Sequence, residues 1–377
     1  MSWSIKLGRV FGIDIKVHLT FLLILVWGAL NYGGSAGPLY GVLVTLGLFS
    51  LVLLHELGHS LAALRYGIPV KDITLLPIGG VARLERMPEK PRQELVVALA
   101  GPAVNVILAL LLLPVILSLT VLQGAPLSLG LFARPGLTGF LAFLFSANVS
   151  LAVFNMLPAF PLDGGRVFRA ALGFFVDYQR ATQAAVTVGR FLAIGLGLIG
   201  IFSGQFLLAL IALFIFTAGG QEGQAVAARG VLRNVQVGQA MPRNGRPVAL
   251  QPGTPVGQVA SMVMGGQQSD FAVLDPYSRQ LLGVATSQDV ARAIEQGQWN
   301  SPISDIMHAV QNVPRVTITT PLSEAQDALA RTSSRVALVY DGLHFRGLLS
   351  LDDIYRVFRF LSRSGLGGQR IAWDVPG

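Results

Sequence analysis

The chain has no cysteine. That excludes disulfides and thiolate metal sites, so any transition-metal centre must be built from histidine and carboxylate. Charge is the second scarcity: 13% of residues are charged and 52% hydrophobic, against roughly 25% charged in an average soluble protein. The deficit is uneven. Residues 1–220 hold eight acidic and fourteen basic side chains, and the remaining 157 hold twelve and fourteen. The first part is therefore solvated by lipid, whereas the second reads as soluble protein. Its net +6 points to anionic headgroups. No Arg/Lys-rich arm with interleaved aromatics is present, which argues against a nucleic-acid partner. The polar stretch Lys6–His18 runs into an apolar span with no small-residue cleavage site, so no cleavable signal is expected.

A helix crosses the hydrocarbon layer in about 20 apolar residues. Six spans are predicted on that basis: 18–33, 39–64, 95–122, 137–157, 181–202 and 204–220. The first is short. The last two are separated only by Ser203-Gly204-Gln205 and read as a helical hairpin. Cations collect before span one (Lys6, Arg9, Lys16), in 65–94 and 163–180, and after span six (Arg229, Arg233); the intervening loops hold only Arg134. This alternation places both termini in the cytoplasm of a multi-pass protein of the cell (inner) membrane. Arg190, inside span five, must snorkel or line the bundle. Residues 70–84 read as short β elements around a glycine turn, too apolar for a free loop and expected to lie against the membrane part.

From about residue 231 the composition becomes soluble and a repeat appears. Gly283-Val-Ala-Thr286-Ser-Gln-Asp289-Val290 recurs 64 residues later as Gly347-Leu-Leu-Ser350-Leu-Asp-Asp353-Ile354. Each copy ends a strand-like run and opens a helix-like one. N-capping explains one copy well and two matched copies less well. The expected division is a membrane domain over 1–225 and two repeat domains over 231–300 and 301–365.

Span two ends in Leu54-His55-Glu56-Leu57-Gly58-His59. On a helix, residues four apart project from one face, so His55 and His59 can share a metal ion, with Glu56 in reach of a water beside it. Ionisable groups on an apolar helix are costly without such a purpose. A hydrolytic zinc takes three protein ligands and leaves one position open. The third must come from His18, Asp14, Asp72, Glu85, Glu89, Glu94, Asp163 or Asp177. Asp163 stands out: it follows span four in Asn155-Met-Leu-Pro158-Ala-Phe-Pro161-Leu-Asp163-Gly164-Gly165, where prolines fix the backbone and glycines permit close approach. Its alternative is a helix N-cap.

At these residues the chain closely resembles the site-2 protease family of intramembrane zinc metalloproteases. The resemblance rests on His55-Glu56-Leu57-Gly58-His59, Gly101-Pro102-Ala103-Val104-Asn105, and Asn155-Met-Leu-Pro158 leading to Leu162-Asp163-Gly164-Gly165, and covers roughly residues 5–220. The C-terminal repeat resembles a tandem pair of CBS domains. The resemblance implies a six-helix membrane domain with short membrane-associated β elements and a cytoplasmic α/β CBS pair. It also implies Zn2+ on His55, His59 and Asp163, one per chain, with Glu56 as general base. Asn155 and Pro158 would help hold substrate, Asn105 would support the site (or make an interhelical hydrogen bond), and Gly79 and Gly80 would lie in an element that pairs with an unwound substrate strand. For the CBS pair it implies ATP or another adenine nucleotide at Thr286, Asp289, Ser350 and Asp353, and a possible homodimer. His308 and His344 read as ordinary histidines.

The activity implied is hydrolysis of peptide bonds in or near transmembrane segments. Candidate substrates are membrane-tethered regulators, anti-sigma factors and remnant signal peptides. The competing reading is a CBS-regulated transporter or metal-handling protein, which would not require Glu56 beside the first ligand.

Overall fold

The structure, a computed structural model, describes residues 3–84, 88–124, 135–241, 248–266, 268–332 and 334–363. Glu85, Arg86 and Arg134 lie outside the described residues, as does the end of the second repeat past residue 363. The chain separates into two units, Met1–Gln224 and Ala225–Gly377.

The first unit opens with a hairpin, β1 (Ser4–Val10) and β2 (Ile13–His18), followed by α1 (Phe21–Tyr32) and α2 (Pro38–Arg65). A second hairpin follows, β3 (Val70–Leu76) and β4 (Gly79–Leu84). Then come α3 (Pro91–Leu122), α4 (Leu137–Asn155), the short α5 (Asp163–Leu172), α6 (Tyr178–Phe202) and α7 (Phe206–Arg233). Among the described residues five helices are long and apolar enough to cross a bilayer: α2, α3, α4, α6 and α7. The expected first span is corrected. Residues up to His18 belong to β2, and the 12-residue helix that remains rises about 18 Å, well short of a hydrocarbon core of about 30 Å.

The four strands form one sheet in the order β1-β2-β3-β4. β1 with β2 and β3 with β4 pair antiparallel, whereas β2 pairs parallel with β3, Ile15 opposite Ile73. Parallel neighbours require the chain to travel out and return between them; α1 and α2 make that excursion. The apolar face of β2 (Ile13, Ile15) joins Val70, Ile73, Ala63 of α2 and Val97 of α3 in one core, so the glycine-turned hairpin does pack on the helices. On the sheet's charged residues, Asp72 is buried and bonded by Lys16 at 2.6 Å and Arg83 Nε at 2.6 Å. Opposed cations hold its carboxyl down at about 2, Arg83 contributing most.

α6 and α7 form the expected hairpin across Ser203–Gln205, and Arg190 is exposed with its guanidinium 5.5 Å from the Phe216 ring centre.

The second unit holds two sheets, β5-β6-β7-β8 and β11-β10-β9. The short α8 (Val237–Ala240) follows α7; the first sheet comprises β5 (Ala249–Leu250), β6 (Asp270–Leu274), β7 (Leu281–Thr286) and β8 (His308–Ala309), with α9 (Val256–Met264) and α10 (Ser287–Glu295). The second comprises β9 (Arg315–Thr317), β10 (Val336–Asp341) and β11 (His344–Ser350), with α11 (Leu322–Thr332) and α12 (Leu351–Arg363). The cores exchange their leading segments. Leu232, Val235 and Val237 pack with Val316, Leu322 and Leu349, while Ile303 packs with Val256, Phe271 and Val290.

Candidate metal centre

α2 presents His55 and His59 one turn apart, and both rings are buried. The rings stand nearly perpendicular, at 81°, with centres 4.7 Å apart. Each is fixed from behind by α3. His59 Nδ1 lies 2.7 Å from the carbonyl of Val97, which can only accept, so the proton sits on Nδ1. His55 Nδ1 lies 2.8 Å from Oδ1 of the buried Asn105 and donates to it in the same sense. Both Nε2 atoms are thereby left as lone-pair donors.

Space for this comes from Gly101. A Cβ on that residue would stand 2.2 Å from His59 Nε2, so α3 must be bare there for the imidazole to fit.

Asp163 arrives from the other end of the unit. α4 stops at Asn155, and the turn through Pro158 to Leu162 is closed by Ala159 N–H to Leu157 O at 2.7 Å and Leu162 N–H to Ala159 O at 2.9 Å. Gly164 lets the new helix nest against this turn: a Cβ would come within 2.3 Å of the carbonyls of Met156 and Leu157. Asp163 is the first residue of α5 and is buried. Its Oδ2 lies 3.1 Å from Nε2 of His55 and 3.1 Å from Nε2 of His59, and the two nitrogens are 3.1 Å apart.

These three atoms form a nearly equilateral triangle of lone pairs. With Nδ1 protonated, each neutral imidazole turns its Nε2 lone pair toward the carboxylate oxygen, an arrangement that a shared cation stabilises. Ligand atoms of a four-coordinate ion held at about 2.0–2.1 Å stand about 3.3 Å apart. The donor set therefore fits a small divalent cation, and His55, His59 and Asp163 form a buried group capable of holding one.

Glu56 is half-buried on the adjacent face of α2 and stands outside the triangle. Gly80 of β4 packs directly on it; a Cβ there would lie 2.7 Å from Glu56 Cγ. Gly79 and Gly80 open the edge strand β4, opposite Leu76 and Leu75. Asn155 and Pro158 are half-buried in the turn before Asp163.

Most of the other acidic candidates are engaged elsewhere. Asp14 pairs with Lys6 at 2.6 Å, Asp72 with Lys16 and Arg83, Glu94 with Arg169 at 2.5 Å, and Asp177 caps α6 through Arg180 N–H. His18 bonds Thr20. The Val97 carbonyl and the Arg169 pairing were missed from sequence. A carbonyl has no residue signature, and Arg169 reads there as a loop cation.

In the second unit the four expected nucleotide residues form two matched caps. Thr286 Oγ1 accepts from Asp289 N–H at 3.3 Å, and Asp289 Oδ2 accepts from Thr286 N–H at 3.1 Å and from its hydroxyl at 2.6 Å. Ser350 and Asp353 repeat this at 3.1, 3.0 and 2.8 Å. Capping accounts for both copies. His308 adds an ion-pair contact to Asp289 at 3.1 Å.

Comparison with known proteins follows the same division. The profile of peptidase family M50 matches residues 43–128 and 123–196, and that of the CBS domain matches 303–359. The chain is 31% identical over 386 residues to a protein of Synechocystis sp. named as a zinc metalloprotease, covering 94% of this chain and 96% of the other. It is 29% identical over 362 residues to a zinc metalloprotease of Methanocaldococcus jannaschii, covering 96% and 98%. A solved site-2 protease structure from M. jannaschii is 36% identical, with a TM-score of 0.43, over 59% of this chain and 95% of that one.

Proposed function

The chain belongs to the site-2 protease family, peptidase family M50, with a C-terminal regulatory CBS pair, and from that premise we propose that His55, His59 and Asp163 hold the zinc ion of an intramembrane metalloprotease while Glu56 handles its protons. One observation carries the proposal: two imidazole Nε2 atoms and a carboxylate oxygen, all buried, converge at 3.1 Å from one another.

When bound, zinc supplies Lewis-acid polarisation of a carbonyl and acidification of water. The rest falls to the chain. The Val97 carbonyl and Asn105 fix the imidazoles in the tautomer that leaves Nε2 free. Glu56 accepts a proton from the attacking water and passes it to the leaving amine. A membrane helix has every amide internally bonded, so substrate must open before it can be cut. The opened strand adds to the edge of β4. What supports this is that β4 ends the sheet order and that its Gly80 touches Glu56. Asn155 and Pro158 would hold the strand from the other side. The substrate class is a membrane-tethered protein such as a regulator, an anti-sigma factor or a remnant signal peptide.

Five long apolar helices make this a multi-pass membrane protein. We place the β1–β4 sheet and the end of α7 on the cytoplasmic side of the inner membrane, with α1 entering the bilayer without crossing it and α2 returning the chain to the side it left. The loop cations favour that side, and the parallel pairing of β2 with β3 supports a return of the chain between them. The CBS pair would bind an adenine nucleotide and join two chains as a homodimer. What supports the nucleotide is the presence of two matched helix N-termini in the second unit, which suit phosphate. Titration of the full chain with ATP tests it, and absence of heat at millimolar ligand removes it.

The deciding experiment is Glu56→Gln. Cleavage of a co-expressed membrane substrate should vanish while metal analysis still finds one zinc per chain. Normal processing by this variant would refute the proposal in favour of a carrier that only binds the ion. Asp163→Ala should lose zinc.

A further inference from the structure

Among the described residues Arg169 of α5 is the largest fully buried side chain, 1% exposed, and it takes no part in the triangle. Its Nε and Nη2 donate to Glu94 Oε1 at 2.7 and 2.5 Å, and its Nη1 donates to Glu222 Oε1 at 2.8 Å. The guanidinium carbon lies 4.7 Å from the ring centres of both Phe160 and Tyr178. One planar cation thus ties together α3, α5 and α7, the turn before α5 and the start of α6.

The place of this tie matters. Glu94 lies three residues before Val97, whose carbonyl fixes His59. Arg169 lies about 9 Å along α5 from Asp163. The helix that brings the acidic ligand and the helix that orients both imidazoles are therefore pinned to each other through one guanidinium. A buried ion cluster is a weak source of stability, because apolar side chains of similar volume pack as well without the desolvation cost. What a planar guanidinium with donors to carboxylates on two helices gives is fixed relative geometry.

We propose that Arg169 is a positioning residue of the metal centre, holding Asp163 in register with His55 and His59, and that Glu222 sets how firmly it is held. This rests on the metal-binding reading above. The test uses the purified full chain loaded with Co2+, read by its visible absorption and by chelator competition, with kcat and KM measured beside it. Arg169→Lys keeps the charge and loses the planar fork. The double variant Arg169→Met with Glu94→Gln leaves no uncompensated carboxylate on Glu94, which guards against a simple folding failure.

Both should weaken Co2+ binding tenfold or more, change the absorption band and lower kcat with KM unchanged. Glu222→Gln should shift affinity the same way by a smaller factor. Wild-type affinity and spectrum in the double variant or in Arg169→Lys would overturn the proposal, since a packing role alone would leave them unmoved. Failure of the unmodified chain to bind Co2+ or zinc would instead overturn the metal-centre reading.

Discussion

The α-carbon of Gly80 is pressed against Glu56 so closely that a single methyl there would stand 2.7 Å from the glutamate Cγ. The edge of the sheet and the proposed general base are therefore one packed unit. Gly80→Ala must displace the carboxylate. Zinc content should stay at the wild-type level while kcat falls about ten- to hundredfold, a range typical of general-base contributions. Unchanged kcat would separate β4 from the chemistry.

Gly101→Ala makes a complementary prediction. Alanine favours a helix over glycine by about 1 kcal/mol, so α3 should form at least as well. Its Cβ, however, would meet His59 Nε2 at 2.2 Å. Helix content by circular dichroism should be preserved while metal content is lost. Full zinc occupancy in this variant would contradict the arrangement of the imidazoles.

How much of this site was legible in the sequence divides along physical lines. The spacing of His55 and His59 and the proline–glycine setting of Asp163 are local signals, and the structure brings those three residues together. Helix length was legible for the five long helices. It failed at residues 18–33 because only Phe21–Tyr32 are helical: His18 ends β2, and the chain turns at Gly34–Ala36. The alternation of Ile13, Ile15 and Val17 was a strand signal present in the sequence, but the intervening charges made the stretch read as polar. The pairing of Arg169 with Glu94 and Glu222 was not legible, since it depends on three distant helices meeting.

The second unit gives a pH prediction. Burial pushes the Asp270 carboxyl up to about 6 from 3.8. The folded chain then holds a proton that the unfolded chain has released, so stability falls as pH rises from about 4 to about 6 and is level above. The size of the fall is at most about 3 kcal/mol, reduced by solvent screening because Asp270 is only partly buried. The opening free energy of β6, from hydrogen-exchange protection relative to intrinsic exchange at each pH, should fall across this window, and Asp270→Asn should abolish that fall. A flat profile in the wild type would count against it.

The paired caps give a stability prediction. Thr286→Ala and Ser350→Ala should each destabilise the second unit by about 1 kcal/mol, measured by denaturant titration. Near-equal costs are expected because the two caps have the same bonds. A negligible cost at either would mean that its cap is not a structural element.

The proposed ligands of the metal centre are widely separated along the chain, Asp163 following His59 by 104 positions. A ribosome delivers the two imidazoles early and the carboxylate only after α2, both hairpins, α3 and α4 have been made. The nascent protein thus carries an incomplete and inert cleft through most of its insertion. Synthesis itself works as a safety catch, released when the fifth helix seats its first residue.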